Sequence, residues 1–270
     1  MVTIETKGGA VGRFHRHDDG SEHSHDHDHD HVPGDHSGYR TGAERIEILE
    51  AIFSENDRQA AANRKAFEHS GVRVLNLMSS PGSGKTTVLA ATLDALATDM
   101  SIGIIEGDIA TDIDAARLGG RGAQISLLNT GNGFGGECHL DAPMVSRAMA
   151  GLDLGPLDLV VIENVGNLVC PAEFDVGEHA KAMVYSVTEG EDKPLKYPVM
   201  FRAVDVVLLN KIDLVPHLDT DVETYTAGIK KVNPAATVFP VSARSGVGMG
   251  KWFDWLRRFT GLHETVSQTR

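Results

Sequence analysis

Residues 79–87 read SSPGSGKTT, with Gly84, Lys85 and Thr86 in succession after Gly82. Small residues let consecutive backbone N–H groups point at phosphate oxygens, Lys85 brings positive charge, and the Thr86 hydroxyl can ligate Mg²⁺. Ser83 and Thr87 complete the loop expected to cradle a nucleotide. The stretch departs from the usual phosphate-loop pattern at Ser79, where that pattern begins with Gly. Further along, DVVLLNKIDLV sets Asn210, Lys211 and Asp213 at the end of an apolar run. Asp213 can accept hydrogen bonds from the N1–H and exocyclic amine of guanine, donors that adenine does not present in that geometry. Asn210 would brace the loop and Lys211 would lie along the base. The later VSARSGVG supplies Ser242, Ala243 and Arg244 to close over the base. The expected nucleotide is therefore GTP. A small-molecule kinase shares the phosphate loop but does not need NKID followed by SAR.

Magnesium binding and switching need carboxylates near the phosphates. Asp108 ends the run IEGD, and Glu163 in LVVIENVG stands three residues before Gly166, a D-x-x-G pattern with Glu in place of Asp. Lys85, Asp108 and Glu163 are the catalytic candidates, with Thr86 and Asp108 as Mg²⁺ ligands. Asp112 and Asp114 read equally well as helix caps. No catalytic base is assigned, and Arg117, Arg121 and Arg202 are expected at the surface or at partner contacts.

A second set of residues suits softer metals. Cys138 and His139 lie in GNGFGGECHLDAP, and Cys170 in ENVGNLVCP. Thiolate and imidazole fit Ni²⁺ or Zn²⁺ far better than Mg²⁺. Two cysteines in a chain are often just small buried apolar groups, but both of these stand beside loops expected to move with the γ-phosphate. Three side chains do not close a tetrahedral site, so water completes it or two subunits share it. Near the N-terminus, His23, His25, His27, His29 and His31 alternate with Asp26, Asp28 and Asp30, flanked by His15, His17 and His36. The tract has no apolar face with which to offset the entropy of ordering itself. A disordered metal-binding tail is expected, its neutral imidazoles suiting Ni, Zn or Cu alike; an expression tag would more often be an uninterrupted His run.

The remaining sequence must position these groups. Eight of the 13 histidines fall in the first 36 residues, and a compositional border near Arg40 divides a tail, 1–40, from a GTPase domain, 41–270, of the 270-residue chain. The formal charge of −13 argues against nucleic-acid binding, which needs basic patches. Cys138 and Cys170 form no disulfide framework, no apolar run reaches about 18 residues, and MVTIETKGGA lacks a signal-peptide core, so a cytoplasmic protein with no membrane partner is expected. Ile46, Leu49 and Ile52 or Phe53 recur at helical spacing, predicting one long amphipathic helix that Gly71 terminates and that could break near Ser54. Seven apolar runs follow: VRVLNLM, SIGIIEG, AQISLLN, LDLVVIEN, AMVYSVT, DVVLLN and TVFPV. Alternating with helical stretches, they predict an α/β fold, a phosphate-loop NTPase with a mainly parallel, doubly wound sheet. KWFDWLRRF reads as a closing amphipathic helix.

MSSPGSGKTT, IEGDIATDIDAARL, CHLDAPMV, IENVGNLVCPAEFDVGE and NKIDLVP, spread over residues 75–216, resemble the HypB family of GTPases that insert nickel during maturation of [NiFe]-hydrogenase. With the preceding helix and the closing strand and helix, the resemblance covers residues 41–262. It implies the SIMIBI class of folds, which includes the signal-recognition and nitrogenase-iron-protein NTPases. It also implies slow GTPase activity, a GTP-promoted homodimer, and a nickel or zinc site at Cys138, His139 and Cys170. The implied partners are a HypA-type metallochaperone and the hydrogenase large subunit. Some members carry an N-terminal Cys-x-x-Cys-type nickel site. This tail has no cysteine, so any nickel role there rests on its histidines. The segment from Thr130 to Cys138 looks longer than is usual in the family. Other readings are a nickel storage protein and a urease-type nickel GTPase, although the Cys-Pro-His expected of the latter is missing.

Overall fold

The computed structural model describes residues 42–107, 118–128, 139–167 and 170–262, plus the segments His15–Arg16 and Glu22–His23, with side chains from Phe53 onward apart from that of Cys170. Asp108, Cys138, Asp112, Asp114, Arg117 and the expected tail ligands His25, His27, His29 and His31 lie outside the described residues. Within the tail, His15–Arg16 and Glu22–His23 pair antiparallel, with His15 opposite His23. The chain divides into two compact units, Met1–Ile48 and Leu49–Arg270, and the second holds the sheet.

All seven apolar runs form strands of one sheet: β1 (Arg73–Ser79), β2 (Ile102–Glu106), β3 (Gln124–Leu127), β4 (Leu159–Gly166), β5 (Ala180–Ser186), β6 (Val206–Asn210) and β7 (Thr237–Pro240). Their order is β3-β2-β4-β1-β5-β6-β7, and every pairing is parallel. The sheet is thus wholly rather than mainly parallel. Central strands of such sheets are covered on both faces, which is why these runs are almost continuously apolar instead of alternating. Strand β1 is buried at six successive positions, whereas the edge strands β3 and β7 are half exposed. From β1 the chain first winds to β2 and β3, returns to β4, and then crosses to β5 on the other side of β1. In open α/β sheets the crevice outside the carboxyl ends of the strands at such a reversal is where ligands bind.

Alternating side chains feed two faces. Leu75, Leu77, Ile104 and Val161 pack with Leu89 and Leu93 of α2 (Lys85–Leu96) and with Trp252 and Leu256 of α8 (Met249–Phe259). Trp252 also donates its indole N–H to Thr92 Oγ1 at 3.0 Å, locking α8 to α2. On the opposite face Val74, Ile105, Val160 and Ile162 meet Phe67 of α1 (Gly42–His69) and Val145 of α3 (Ala142–Met149). Met183, Tyr185 and Val207 meet Phe201 of α6 (Pro198–Arg202) and Tyr225 of α7 (Val222–Val232) on that same face. Two single-turn helices, α4 (Cys170–Glu173) and α5 (Lys193–Lys196), complete the described α-helices, and Val187–Glu189 and Ile212–His217 form short 3-10 turns.

Helix α1 is the one long helix expected, running 28 residues with no break at Ser54. No Gly or Pro stands there, and the buried stripe continues through Asn56, Ala60, Asn63 and Phe67. That stripe is half amide, so it is invisible to a search for apolar periodicity. The helix ends as expected at Gly71, whose φ of +73° is the left-handed conformation that glycine adopts without a Cβ penalty. The Val72 N–H then bonds back to Phe67 O at 3.1 Å.

Candidate functional site

The loop between β1 and α2 curls through positive φ at Gly82 (+73°) and Gly84 (+98°). Residues 79–87, with Val165 and Gly166, line a cavity of about 360 Å³. Gly84 is doubly constrained, because a Cβ there would also fall 2.6 Å from Asn210 Nδ2. Asn210 donates from Nδ2 to Ser83 O at 2.9 Å and accepts the Ala243 N–H on Oδ1 at 3.0 Å. One buried amide thereby ties the phosphate loop to the SAR loop. Lys211, in the left-handed conformation at φ 63°, donates to Gly82 O at 2.6 Å. Asp213, Ser242, Ala243 and Arg244 join Gly84, Thr87, Asn210 and Lys211 around a neighbouring cavity of about 320 Å³. The two cavities share Gly84 and Thr87, as a phosphate pocket and a base pocket must.

Lys85 and Glu163 are both buried, with Nζ 3.3 Å from Oε1. The Thr86 hydroxyl donates to the same Oε1 at 3.1 Å. Glu163 Oε2 is buried with no hydrogen-bond partner among the described residues. An orphaned carboxylate oxygen beside a Thr hydroxyl and a phosphate cavity suits a hard divalent cation such as Mg²⁺.

Sequence reasoning missed three groups here. Glu106, buried at the end of β2, stands in register beside Glu163; the signal was the IEGD run, from which only Asp108 was taken. Glu189 accepts hydrogen bonds from Ser83 Oγ at 2.9 Å and from the Ser186 N–H at 2.8 Å. Lys193 pairs with Glu189 and donates to Ser80 Oγ at 2.8 Å. Glu189 and Lys193 thus hold the phosphate loop from the end of β5. Ser186 and Glu189 form the S-x-x-E capping box of a short 3-10 turn, a local signal for the turn, but nothing in the sequence ties either Glu189 or Lys193 to the phosphate loop.

Of the soft-metal candidates, His139 is brought by the fold against the segment that begins at Cys170. The His139 ring stacks on Phe174, with centroids 4.1 Å apart, and Phe174 directly follows α4, which begins at Cys170. Amides from α1 join the same segments. Asn56 Oδ1 accepts the Ala142 N–H at 2.9 Å, while its Nδ2 donates to Asp175 O at 2.8 Å. Asn63 Nδ2 donates to Ala142 O at 2.8 Å and to Val176 O at 3.1 Å. Among the described residues no three ligating side chains converge; of the expected three, only the His139 side chain is described.

Charged groups secure the base of this region. Arg64 bonds both oxygens of Asp175 at 2.7 Å. Burial pushes the Asp175 carboxyl up, but the hydrogen bonds from Arg64 and Gly177, with the Arg64 charge and Glu178, outweigh it and leave its pKa below the ordinary value. Burial raises Glu178, against the pull of Lys181. Burial also lowers His179, helped by the nearby Arg73. His179 Nδ1 accepts the Val74 N–H at 2.9 Å, so its proton resides on Nε2.

The family model described as CobW/HypB/UreG, nucleotide-binding domain, matches residues 73–240. A hydrogenase maturation factor HypB from Azotobacter chroococcum mcd 1 is 55% identical over 219 residues, covering 80% of this chain and 70% of that protein. The crystal structure of the hydrogenase maturation factor HypB from Archaeoglobus fulgidus superposes with a TM-score of 0.71 at 37% identity, covering 77% of this chain and 99% of that one. HypB from Helicobacter pylori in complex with nickel gives the same TM-score of 0.71 at 36% identity, over 77% of this chain and 96% of that one. The matched domain carries the phosphate loop and base pocket just described, and the chain is a nucleotide-binding GTPase that belongs to the HypB family of hydrogenase maturation factors.

Proposed function

We propose that this chain is a GTP-hydrolysing nickel metallochaperone that inserts Ni²⁺ into the large subunit of [NiFe]-hydrogenase, working in the cytoplasm with a HypA-type partner. In this reading residues 1–40 are a His-rich nickel store and residues 41–270 are the GTPase domain. Cys138, His139 and Cys170 are the transfer site, with Ni²⁺ as cargo and Zn²⁺ suited to the same donors. The observation that carries the reading is the stacking of His139 on Phe174. It sets one expected ligand against the segment that begins with another.

GTP would enter the joined cavities, with Asp213 reading the guanine edge and Asn210 fixing the loop above it. Lys85 would exchange its Glu163 partner for phosphate oxygens. Thr86, Asp108 and Glu163 would hold Mg²⁺, which neutralises charge developing on the phosphates during hydrolysis. The step for this chain's residues is a change of partners at Glu163, which has to alter β4 and the segments joined to it. Leu195 and Val199, exposed on α5 and α6 a few residues after the Lys193 that donates to Ser80, support a GTP-dependent homodimer. Because nucleotide and metal bias one equilibrium, each changes the affinity of the other by the same factor.

A Ni²⁺ titration of the chain lacking residues 1–40, with GDP and with a non-hydrolysable GTP analogue, tests this while light scattering follows mass. Affinity and mass should change together with the nucleotide, and Cys138→Ala should remove the metal effect. No nickel binding in either state would refute the transfer site and leave the tail as the nickel-binding part.

A further inference from the structure

Glu163 and Asn164 are neighbours on β4 and, as strand geometry requires, their side chains go to opposite faces. Glu163 meets Lys85 and Thr86 at the phosphate loop. Asn164, only 1% exposed, turns toward α3. Its Oδ1 accepts the Leu140 N–H at 3.1 Å and the Val165 N–H at 2.9 Å. Two N–H donors on one oxygen fix which end of the amide is which. Its Nδ2 donates to Asn76 Oδ1 at 3.3 Å. From there Asn76 Nδ2 lies 3.5 Å from Glu178 Oε1, and Glu178 Oε2 accepts the Val176 N–H at 2.8 Å.

This buried chain ends at two backbone positions: Leu140, which directly follows His139, and Val176, two residues beyond the Phe174 on which His139 stacks. We propose that Asn164 is the positioning residue through which the phosphate-facing Glu163 sets the placement of His139. The proposal rests on the nickel-GTPase reading above. The physical argument is proximity without slack. The Cα atoms of residues 163 and 164 are about 3.8 Å apart across a rigid peptide, so a shift of β4 at Glu163 is delivered whole to Asn164. Packed interiors pass such shifts on because they cannot absorb them by compression. An apolar side chain at 164 would fill space equally well but would leave the Leu140 N–H unanswered and uncoupled from β4.

The test compares full-length wild type, Asn164→Ala and Asn63→Ala. Ni²⁺ affinity is measured with GDP and with the imido analogue of GTP. The readout is the near-ultraviolet thiolate-to-nickel charge-transfer band, to which tail histidines do not contribute. Wild type should show affinities differing about 5-fold or more between nucleotides. Asn164→Ala should bring that ratio within about 2-fold of one. Asn63→Ala, which loosens the same segments from the α1 side, should weaken nickel in both states and keep the ratio.

A wild-type ratio of one would overturn both the parent reading and the relay. A wild-type ratio preserved in Asn164→Ala would overturn the relay alone, as would an equal loss of affinity in both nucleotide states. If Asn164→Ala does not fold, hydrogen exchange decides the matter in wild type. The Leu140 amide should differ in protection between the two nucleotides, and equal protection overturns the proposal.

Discussion

At the scale of single residues, the phosphate loop is specified by what cannot be added to it. Gly84 combines a φ of +98° with an Asn210 Nδ2 that would lie 2.6 Å from any Cβ. Gly84→Ala should therefore abolish nucleotide binding and lower stability by about 1–3 kcal/mol, as read by GDP titration and thermal melting. At Glu163 the effect separates by function. Glu163→Gln keeps the volume but removes the charge beside Lys85 and the oxygen proposed to bind Mg²⁺. Mg²⁺-dependent GTP hydrolysis should fall by about 100-fold or more, while metal-free GDP binding changes much less. His179 gives a pH signature. Its pKa is depressed below the ordinary 6.5, so below that pH the unfolded chain takes up a proton that the folded one refuses, and stability falls on acidification. The loss starts near pH 6.5 and levels off once the folded-state pKa is passed. Melting temperatures across this window should slope less in His179→Gln than in wild type.

At the scale of elements, the strands were plain because burial on both faces makes each a short, uninterrupted apolar run. Helix α1 was harder. Its length, helical spacing and Gly71 stop were legible, but whether it broke near Ser54 was not, because the face it buries carries Asn56 and Asn63 and apolar periodicity does not register amides. Helix α3 shows how an element end positions a candidate ligand. Its cap is Asp141, which accepts the Met144 N–H at 2.7 Å, two residues after His139. Asp141→Ala should cost about 1 kcal/mol of stability and should weaken nickel binding without altering GDP affinity. Equal nickel affinity in calorimetric titrations of the two proteins would show that the cap serves the helix alone.

For the molecule as a whole, the proposed division of labour between tail and GTPase domain has a direct consequence. Removing residues 1–40 should lower nickel stoichiometry by several ions per chain while leaving the GTP hydrolysis rate unchanged, because the described residues that line the phosphate and base pockets all belong to the second unit. A loss of hydrolysis on truncation would contradict it. No helix among the described residues is long and apolar enough to cross a membrane.

The sequence alone determined what is local. A strand, a Gly-rich turn and a helix start are consecutive in the chain, so the spacing of Gly82, Gly84, Lys85 and Thr86 carries its own geometry, and the same holds for Asn210, Lys211 and Asp213 after β6. The tertiary structure decided what depends on register and on remote packing. Parallel pairing set Glu106 beside Glu163, the turn after β5 brought Glu189 and Lys193 onto the phosphate loop, and α1 sent two asparagines into segments more than 70 residues away. The alternation of β4 then separated Glu163 from Asn164 onto opposite faces. Polar groups of this kind leave no periodic trace in a sequence, because each is placed by the one donor or acceptor it must satisfy, and that partner is chosen only when the chain folds.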